Sequence, residues 1–190
     1  MYNLPSPRLK KTLRFFADCG ADAIINHHTH CISGYEIYNS KPIFYSLGNF
    51  VFDSAGERDS LWNYGMAVKL HVSSTGISYT LYFLEQFNRQ PALKVICEEE
   101  LPFSLGDLNK TISNDQLLHL NFKKFVQNKE KMYQSYLEPI KSRYYQALRN
   151  RGILPSLWNE RKRFYLKNLI SCESHREIVL NILEEETGPK

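Results

Sequence analysis

The stretch IINHHTHCISGYE, residues Ile24–Glu36, places three of the chain's six histidines within four consecutive positions. They follow a short apolar run, which is itself preceded by a segment with helical periodicity and a glycine. A helix, a glycine, a short strand and a polar loop form the unit of an α/β fold, in which functional groups gather at the carboxyl end of the strand. Since the histidines occupy that position, the stretch predicts an α/β fold and a functional site together.

The spacing of the histidines suits metal binding. In an extended segment His28 and His30 would point to one face, and His27 to the other. Two imidazoles at this spacing reach one metal ion, or one ion each of a pair about 4 Å apart. Imidazole binds zinc, iron, manganese and nickel alike, so the identity of the metal stays open. Surface or simply hydrogen-bonded histidines are the competing interpretation.

A catalytic metal centre usually needs three protein ligands, and a two-metal centre needs more. The side chains that could be added to the histidines are Asp22, Glu36, Asp53 and His71. Asp22 precedes the strand and His71 lies in an alternating strand, so neither completes the cluster. Cys31 is an open alternative ligand, although the wide spacing of the four cysteines predicts buried or partly buried free thiols. The chain therefore does not contain enough candidate ligands for a complete metal centre.

The hydrophobic pattern divides the chain into a strand-rich first part and a helical second part. Period-two patterning predicts strands at 23–25, 35–38, 43–47, 66–72 and 77–87. Helical periodicity predicts helices at 5–22, 116–151, 154–170 and 175–186, with a break at Pro139. Residues 88–112 are less regular. We therefore expect an α/β domain at 1–100 and a helical extension at 101–190.

The net charge of +4 is unevenly distributed, because residues 121–170 carry +9 and the remainder −5. Aromatic residues are interleaved with these lysines and arginines, a composition that also occurs in nucleic-acid-binding surfaces. A helical bundle with an aromatic core and a solvated basic face explains the pattern better, so nucleic acid is not favoured as a partner. A basic face would also suit an anionic polymer or acidic lipid headgroups.

No apolar run approaches the roughly 18 residues of a membrane span, so we expect no transmembrane segment. The N-terminal MYNLPSPRLKK has no apolar core after its charges and does not resemble a secretory signal. The sequence leaves a cytoplasmic and a membrane-associated location open.

Three blocks across about residues 5–53 carry a family resemblance: P-S-P-R, then F-F-A-D-C-G-A-D-A-I-I-N-H-H-T-H-C, then G-Y-E-I-Y-N-S-K-P-I-F-Y-S-L-G-N-F-V-F-D. They closely resemble the CapA family of bacterial capsule and poly-γ-glutamate synthesis proteins, also called PGA_cap. Asn26 and Thr29 depart from the Gly and Pro usual in that family. The family in turn resembles the calcineurin-like metallophosphoesterases, which are four-layer α/β sandwiches with a dinuclear metal centre and a final G-H-x-H motif.

The resemblance implies that His28 and His30 bind divalent metal ions, and that the complete protein is a metallophosphoesterase-like hydrolase in capsule or poly-γ-glutamate synthesis. Ligating histidines usually donate their second N–H to a neighbouring oxygen. The candidates for positions near or behind the ligands are His27, Glu36, Asn49 and Asp53. The alternative function is a non-catalytic accessory or scaffold subunit that docks on other proteins of a polymer synthesis complex.

In this family an N-terminal half supplies the remaining ligands, so the resemblance implies that the chain is the C-terminal half of a sandwich. A missing N-terminal half, or a partner chain that carries it, would complete the site, and the chain alone would be inactive. A half-sandwich leaves strand edges unpaired, so we expect the isolated chain to be marginally stable or to aggregate. A cooperative, monomeric unfolding transition would contradict that expectation.

Overall fold

The computed structural model describes residues 2–27, 29–51, 60–87, 90–137, 142–155 and 159–171. Contacts between Cα atoms divide the chain into two compact units, Met1–Asn128 and Lys129–Lys190. Both described sheets belong to the first unit. So does the loop that contains His27 and His30, which we call the histidine loop.

Helix α1, Pro7–Asp18, confirms the first predicted helix. Its N-cap is Ser6, whose Oγ accepts the backbone N–H of Leu9 at 3.1 Å. Pro7 lies in the first turn, where a backbone N–H would have no intrahelical partner. Gly20, at φ 109°, follows the end of the helix as the sequence predicts.

The first sheet consists of β1 (Ile24–Ile25), β2 (Tyr35–Tyr38) and β3 (Lys41–Phe44), in the order β1–β3–β2. β1 runs parallel to β3, and β2 runs antiparallel to it. The predicted strand at 23–25 is present, and its Ile25 is 46% exposed. It lies in an edge strand that pairs only with β3 among the described strands.

The turn between β2 and β3 is one residue shorter than predicted. It consists of Asn39 and Ser40, which both adopt positive φ angles of 49° and 64°, as a two-residue type I′ hairpin requires. β3 therefore begins at Lys41 and includes Pro42. Pro42 pairs with Ile37 next to the closing pair of the turn, at a position that needs no N–H toward β2.

The second sheet is an antiparallel meander of β4 (Tyr64–Ser73), β5 (Gly76–Phe87) and β6 (Gln90–Ile96). The predicted long pair is confirmed, with Val68 opposite Leu81. Burial alternates along β5, where Tyr79 and Leu81 are partly buried while Thr80 and Tyr82 are exposed. This alternation is the pattern from which the strand was predicted.

Residues 88–112 are more regular than the sequence analysis predicts, because they contain β6 and helix α2 (Leu105–Ser113). The signals for α2 were present. Ser104 caps the helix by accepting the backbone N–H of Asp107 at 3.1 Å, and Leu105, Leu108 and Ile112 recur at helical spacing. All three apolar side chains are buried in the core of the first unit.

Helix α2 packs against the start of β2, directly after the histidine loop. Gly34 has φ 72°, and a Cβ there would lie 2.6 Å from Cδ1 of Ile112 and 2.9 Å from Oδ1 of Asn109. The backbone N–H of Tyr35 donates to that same Asn109 oxygen at 2.9 Å. The glycine thus allows α2 to approach closely enough to satisfy the strand's first amide.

The two sheets share one core. Ile32 pairs with Leu47, and Gly48 pairs with Gly65 of β4, so the chain after β3 bridges from one sheet to the other. Aromatic rings add a second connection, since Tyr79 of β5 makes edge contacts with Tyr35 and Phe44 at centroid distances of 5.6 and 5.2 Å.

Helix α3, Asp115–Leu137, begins in the first unit and continues into the second, which also contains α4 (Arg143–Asn150) and α5 (Glu160–Ser171). The predicted helices are confirmed in these ranges, whereas Pro139 and the helix predicted at 175–186 lie outside the described residues. The expected aromatic core is wrong for α4 and α5. Neither helix has a buried residue, and Tyr144 and Phe164 are 84% and 70% exposed.

The structure is a mixed α/β fold with two described sheets and five described α-helices, as the predicted class requires. The four-layer metallophosphoesterase-like sandwich stays a prediction, and so does the domain boundary between residues 100 and 101. Among the described helices, none has the length and apolar character that crossing a membrane would take.

Replacing Gly34 by alanine should destabilise the first unit more than replacing Gly20. Both glycines have positive φ, a conformation that costs an alanine about 1–2 kcal/mol. A Cβ at Gly20 meets nothing within 4 Å, whereas one at Gly34 collides with α2. Chemical unfolding of the two variants measures the difference. Equal losses of stability would contradict the close packing of α2 on β2.

Candidate functional site

Asn26 fixes the position at which the histidine loop leaves β1. Its backbone N–H donates to the carbonyl of Phe44 at 2.9 Å, and its side-chain Nδ2 donates to the carbonyl of Tyr45 at 2.8 Å. Both bonds continue the parallel pairing of β1 with β3 beyond the last strand residue. The loop therefore starts from a fixed position, and the asparagine that departs from the family's glycine helps to fix it.

The three clustered histidines are placed differently. His27 is exposed, His28 lies outside the described residues, and His30 is partly buried. His30 has φ 55°, in the left-handed region, and the backbone bends from Thr29 to Cys31. The extended geometry from which the sequence analysis placed alternate histidines on one face is therefore wrong at His30. The pairing of His28 with His30 stays a prediction.

Two described neighbours contact the ring of His30. Its Nδ1 is hydrogen-bonded to Oδ1 of Asn49 at 2.9 Å. Its face stacks on the indole of Trp62, with the ring centroids 4.6 Å apart and an interplanar angle of 24°. Asn49, predicted from the sequence to lie near the site, is almost completely buried at 3% exposure.

Asn49 reaches His30 because two glycines let the backbone cross. Gly48 has φ 73°, and a Cβ on it would clash with the carbonyl oxygen of Tyr64. A Cβ on Gly65 would clash with the carbonyl oxygen of Asn49 itself. The backbone N–H of Met66 then donates to the carbonyl of Leu47 at 2.7 Å, which closes the crossing. We call this close approach of residues 47–49 to residues 64–66 the glycine crossing.

Trp62 is the site residue that sequence reasoning missed. It lies in a short 3₁₀ helix, Ser60–Asn63, between the predicted strands at 43–47 and 66–72, where the sequence analysis predicts no element. Its ring contacts His30, and its carbonyl oxygen accepts Nδ2 of Asn49 at 2.9 Å and Nε2 of Gln86 at 3.3 Å. A tryptophan within an otherwise polar segment was the available signal.

Glu36, the other described candidate for a position near the site, has its contacts elsewhere. Its carboxylate receives two hydrogen bonds from the Arg14 guanidinium, at 2.8 and 2.6 Å, and one from the Tyr45 hydroxyl at 2.5 Å. Arg14 also lies over the ring of Tyr38, 4.7 Å from its centroid. No described histidine is among these contacts, which make Glu36 a link between α1 and the first sheet.

The electrostatics of this link follow from burial and pairing. Burial alone would raise the pKa of the Glu36 carboxyl, but the hydrogen bonds from Arg14 and Tyr45 outweigh it and hold the pKa below its ordinary value. Burial and the hydrogen bond to Glu36 raise the pKa of the Tyr45 phenol. The network is therefore a carboxylate shared by a guanidinium and a neutral phenol.

The candidate metal ligands are described only in part. Among the described residues, no group of three histidine, cysteine, aspartate or glutamate side chains is arranged to hold a metal ion. Cys31 is buried, and its thiol donates to the backbone carbonyl of Tyr2 at 3.4 Å. Cys19 and Cys97 are free thiols but exposed, so their expected burial is wrong. His28 and Asp53 lie outside the described residues.

One groove of about 370 Å³ lies along α1 and does not include a described histidine. Its lining contains the cations Lys10 and Arg14, which are already paired with Asp115 and Glu36 at 2.6 Å each. These pairs hold α1 against the remainder of the first unit.

Comparison with known proteins places the histidine loop in a family. Residues 2–54 match the family model described as bacterial capsule synthesis protein PGA_cap. Capsule biosynthesis protein CapA of Bacillus anthracis is 46% identical over 56 residues, which are 30% of this chain and 14% of that protein. PGA biosynthesis protein CapA of Bacillus subtilis is 48% identical over 56 residues, 30% of this chain and 15% of that protein.

Residues 2–54 thus belong to the PGA_cap family, as the sequence resemblance indicates. The chain spans only 14–15% of the length of these two curated relatives. No solved structure matches the chain. Trp62 and Gly65, which complete the surroundings of His30, lie beyond the matched segment.

Replacing Glu36 by glutamine should lower the free energy of unfolding by about 3 kcal/mol at pH 7. This is the low end for removing one partner of a buried ion pair, because 29% of the Arg14 side chain is exposed. The folded-state pKa of Glu36 lies below its ordinary value of 4.5, so the carboxylate stabilises the fold above pH 4.5. That contribution is lost as the pH falls through the folded-state pKa, and the variant should approach the wild type there.

Urea unfolding of both proteins between pH 3 and 7 measures this convergence. Lys110→Gln is the matched control, because it removes an ion pair to Asp107 whose side chains are 81% and 71% exposed. We expect the control to match the wild type throughout. A Glu36→Gln variant as stable as the wild type at pH 7 would refute the structural importance of the network.

Proposed function

We propose that the chain acts in the synthesis of capsule or poly-γ-glutamate polymer, as part of a PGA_cap protein with a metal-dependent, phosphoesterase-like site. The observation that carries the proposal is the placement of His30. The family-matched segment supplies an imidazole that is oriented by a buried amide on one side and an indole on another. Ligating imidazoles in proteins are commonly oriented by such a hydrogen bond to the second ring nitrogen.

In this proposal His28 and His30 bind a pair of divalent metal ions, with His27, Asn49 and Asp53 close by. The oxygen of Asn49 suits this role, because a hydrogen bond to the second ring nitrogen orients a ligating imidazole. A bound divalent ion would polarise a phosphoryl oxygen and lower the pKa of a bound water. The chain's own contribution is orientation, since the glycine crossing holds Asn49 and Asn49 holds the His30 ring.

The remaining ligands would come from an N-terminal half or from a partner chain that carries it, and together the parts would form a metallophosphoesterase-like sandwich. Two observations support this arrangement. The described residues hold no group of three ligands. In addition, β1 pairs only with β3 among the described strands, so its other edge has backbone groups that a further strand could pair with.

A non-catalytic accessory subunit is the second candidate. The observation that favours it is the surface of α4 and α5, where arginines and lysines stand beside the exposed rings of Tyr144 and Phe164. An anionic polymer, or another protein of the synthesis complex, is the partner that such a surface would suit.

Histidine variants in the native host separate the two candidates. His28→Ala and His30→Ala should each reduce the polymer by about 100-fold or more at an unchanged protein level, since removing a ligand costs at least as much as removing its support. His71→Ala is the control, because His71 is exposed on β4 and hydrogen-bonds to Thr80 at 3.1 Å. Immunoblotting gives the protein level, and quantification of purified polymer gives the outcome.

Normal polymer in both loop variants would contradict a metal-dependent role. If polymer were then lost on replacing the basic residues Arg161, Arg163 and Lys167 of α5, the accessory function would be supported. Loss of polymer in the His71 control would mean that the assay reports folding and not chemistry.

A further inference from the structure

We infer that Asn49 fixes the neutral imidazole of His30 as the tautomer with its proton on Nδ1, so that Nε2 carries the lone pair. Asn49 is thereby a positioning residue, and the backbone carbonyl of Trp62 sets the orientation of Asn49. The inference names the nitrogen with which His30 would bind a metal ion, and in that respect it rests on the proposed function. The tautomer itself does not depend on any metal.

The first step is the orientation of the Asn49 amide. Its Nδ2 faces two backbone carbonyl oxygens, that of Trp62 at 2.9 Å and that of His30 at 3.4 Å. A carbonyl oxygen can only accept, so both contacts require the NH₂ group on this side. The opposite amide orientation would bring Oδ1 against two carbonyl oxygens in a site where Asn49 is 3% exposed.

The orientation of the amide determines which imidazole nitrogen of His30 carries the proton. With the NH₂ group directed at the carbonyls, the atom that faces Nδ1 of His30 at 2.9 Å is Oδ1, which can only accept. Nδ1 must therefore donate, and it carries the proton. In a neutral imidazole one nitrogen is a donor and the other an acceptor, so the lone pair resides on Nε2.

The third step is the rigidity of the arrangement. The Asn49 backbone is fixed by the glycine crossing, where an added Cβ on either Gly48 or Gly65 has no room. The carbonyl of Trp62 also accepts Nε2 of Gln86, a buried side chain on β5, so the acceptor that orients the amide is tied to the second sheet. The indole of Trp62 covers the imidazole face, which limits rotation of the ring.

The tautomer is measured on the uniformly ¹⁵N-labelled full chain, without metal, by long-range ¹H–¹⁵N correlation of the imidazole rings. The spectrum is recorded at a pH at which the ring ¹⁵N shifts themselves show neutral imidazoles. We expect a protonated, pyrrole-type Nδ1 and a pyridine-type Nε2 for His30. The reverse pattern in the wild-type chain would overturn the inference directly.

Two other histidines of the chain serve as references for the His30 spectrum. Nδ1 of His119 lies 2.8 Å from the backbone carbonyl of Asp115, so His119 should show the same Nδ1-protonated pattern. His27 is exposed and should resemble free histidine, in which the proton prefers Nε2. If His30 resembles His27 and not His119, the amide does not set the tautomer.

Two variants distinguish the amide from the ring. Asn49→Leu removes the acceptor, so the Nδ1-protonated form of His30 should fall from nearly complete to a minority. Trp62→Phe keeps both an aromatic face and the backbone carbonyl, so the tautomer should stay unchanged. A shift in Trp62→Phe with none in Asn49→Leu would overturn the inference. The wild-type measurement decides the matter even if a variant fails to fold.

Addition of Zn²⁺ to the wild-type chain separates this inference from the proposed function. We expect the Nε2 resonance of His30 to move and Nδ1 to keep its proton. A His30 ring that keeps its Nδ1 proton and shows no response to Zn²⁺, or to Mn²⁺ as judged by paramagnetic broadening, would support the positioning role. It would count against metal binding by this chain without the ligands proposed to come from the N-terminal half. Metal-induced loss of the Nδ1 proton would overturn the positioning role.

Discussion

The glycine crossing is the constraint on which the rest of the first unit depends. Gly48 and Gly65 allow two backbone segments to approach more closely than any side chain at either position would permit. The approach joins the first sheet to the second, and it carries Asn49 beneath His30. The close backbone approach therefore connects the two sheets. It also positions Asn49, whose side chain orients the imidazole of His30.

The family-matched segment is completed by residues outside it. Residues 2–54 provide α1, the first sheet and the histidine loop, but Trp62 covers His30 and Asn109 satisfies the first amide of β2. Lys10 on α1 donates to the carbonyl of Ile112 at 2.5 Å and to Asp115, which ties the matched segment to the helices that follow. The sequence from β4 to the start of α3 therefore packs directly against the matched segment.

The sequence was most informative where a short-range rule applies. The Ser6-Pro7 start of α1, the alternation along β5 and the proximity of Asn49 to the histidine loop were all predictable. The position of Trp62 beside His30 was not, because it depends on a contact between segments that are distant in sequence. No short-range signal indicated the positive φ of His30. Glu36 shows the same limit. A carboxylate near a histidine loop suggests support of a ligand, but only the fold reveals that Arg14 and Tyr45 bind it.

The most direct test of this account is a nuclear Overhauser measurement between the imidazole protons of His30 and the indole protons of Trp62 in the full chain. The account predicts strong cross-peaks, together with an upfield shift of the His30 ring protons, because the two rings are stacked with centroids 4.6 Å apart. Absence of both signals, in a chain whose β4–β5 pairing is intact, would contradict the glycine crossing as the feature that organises the site.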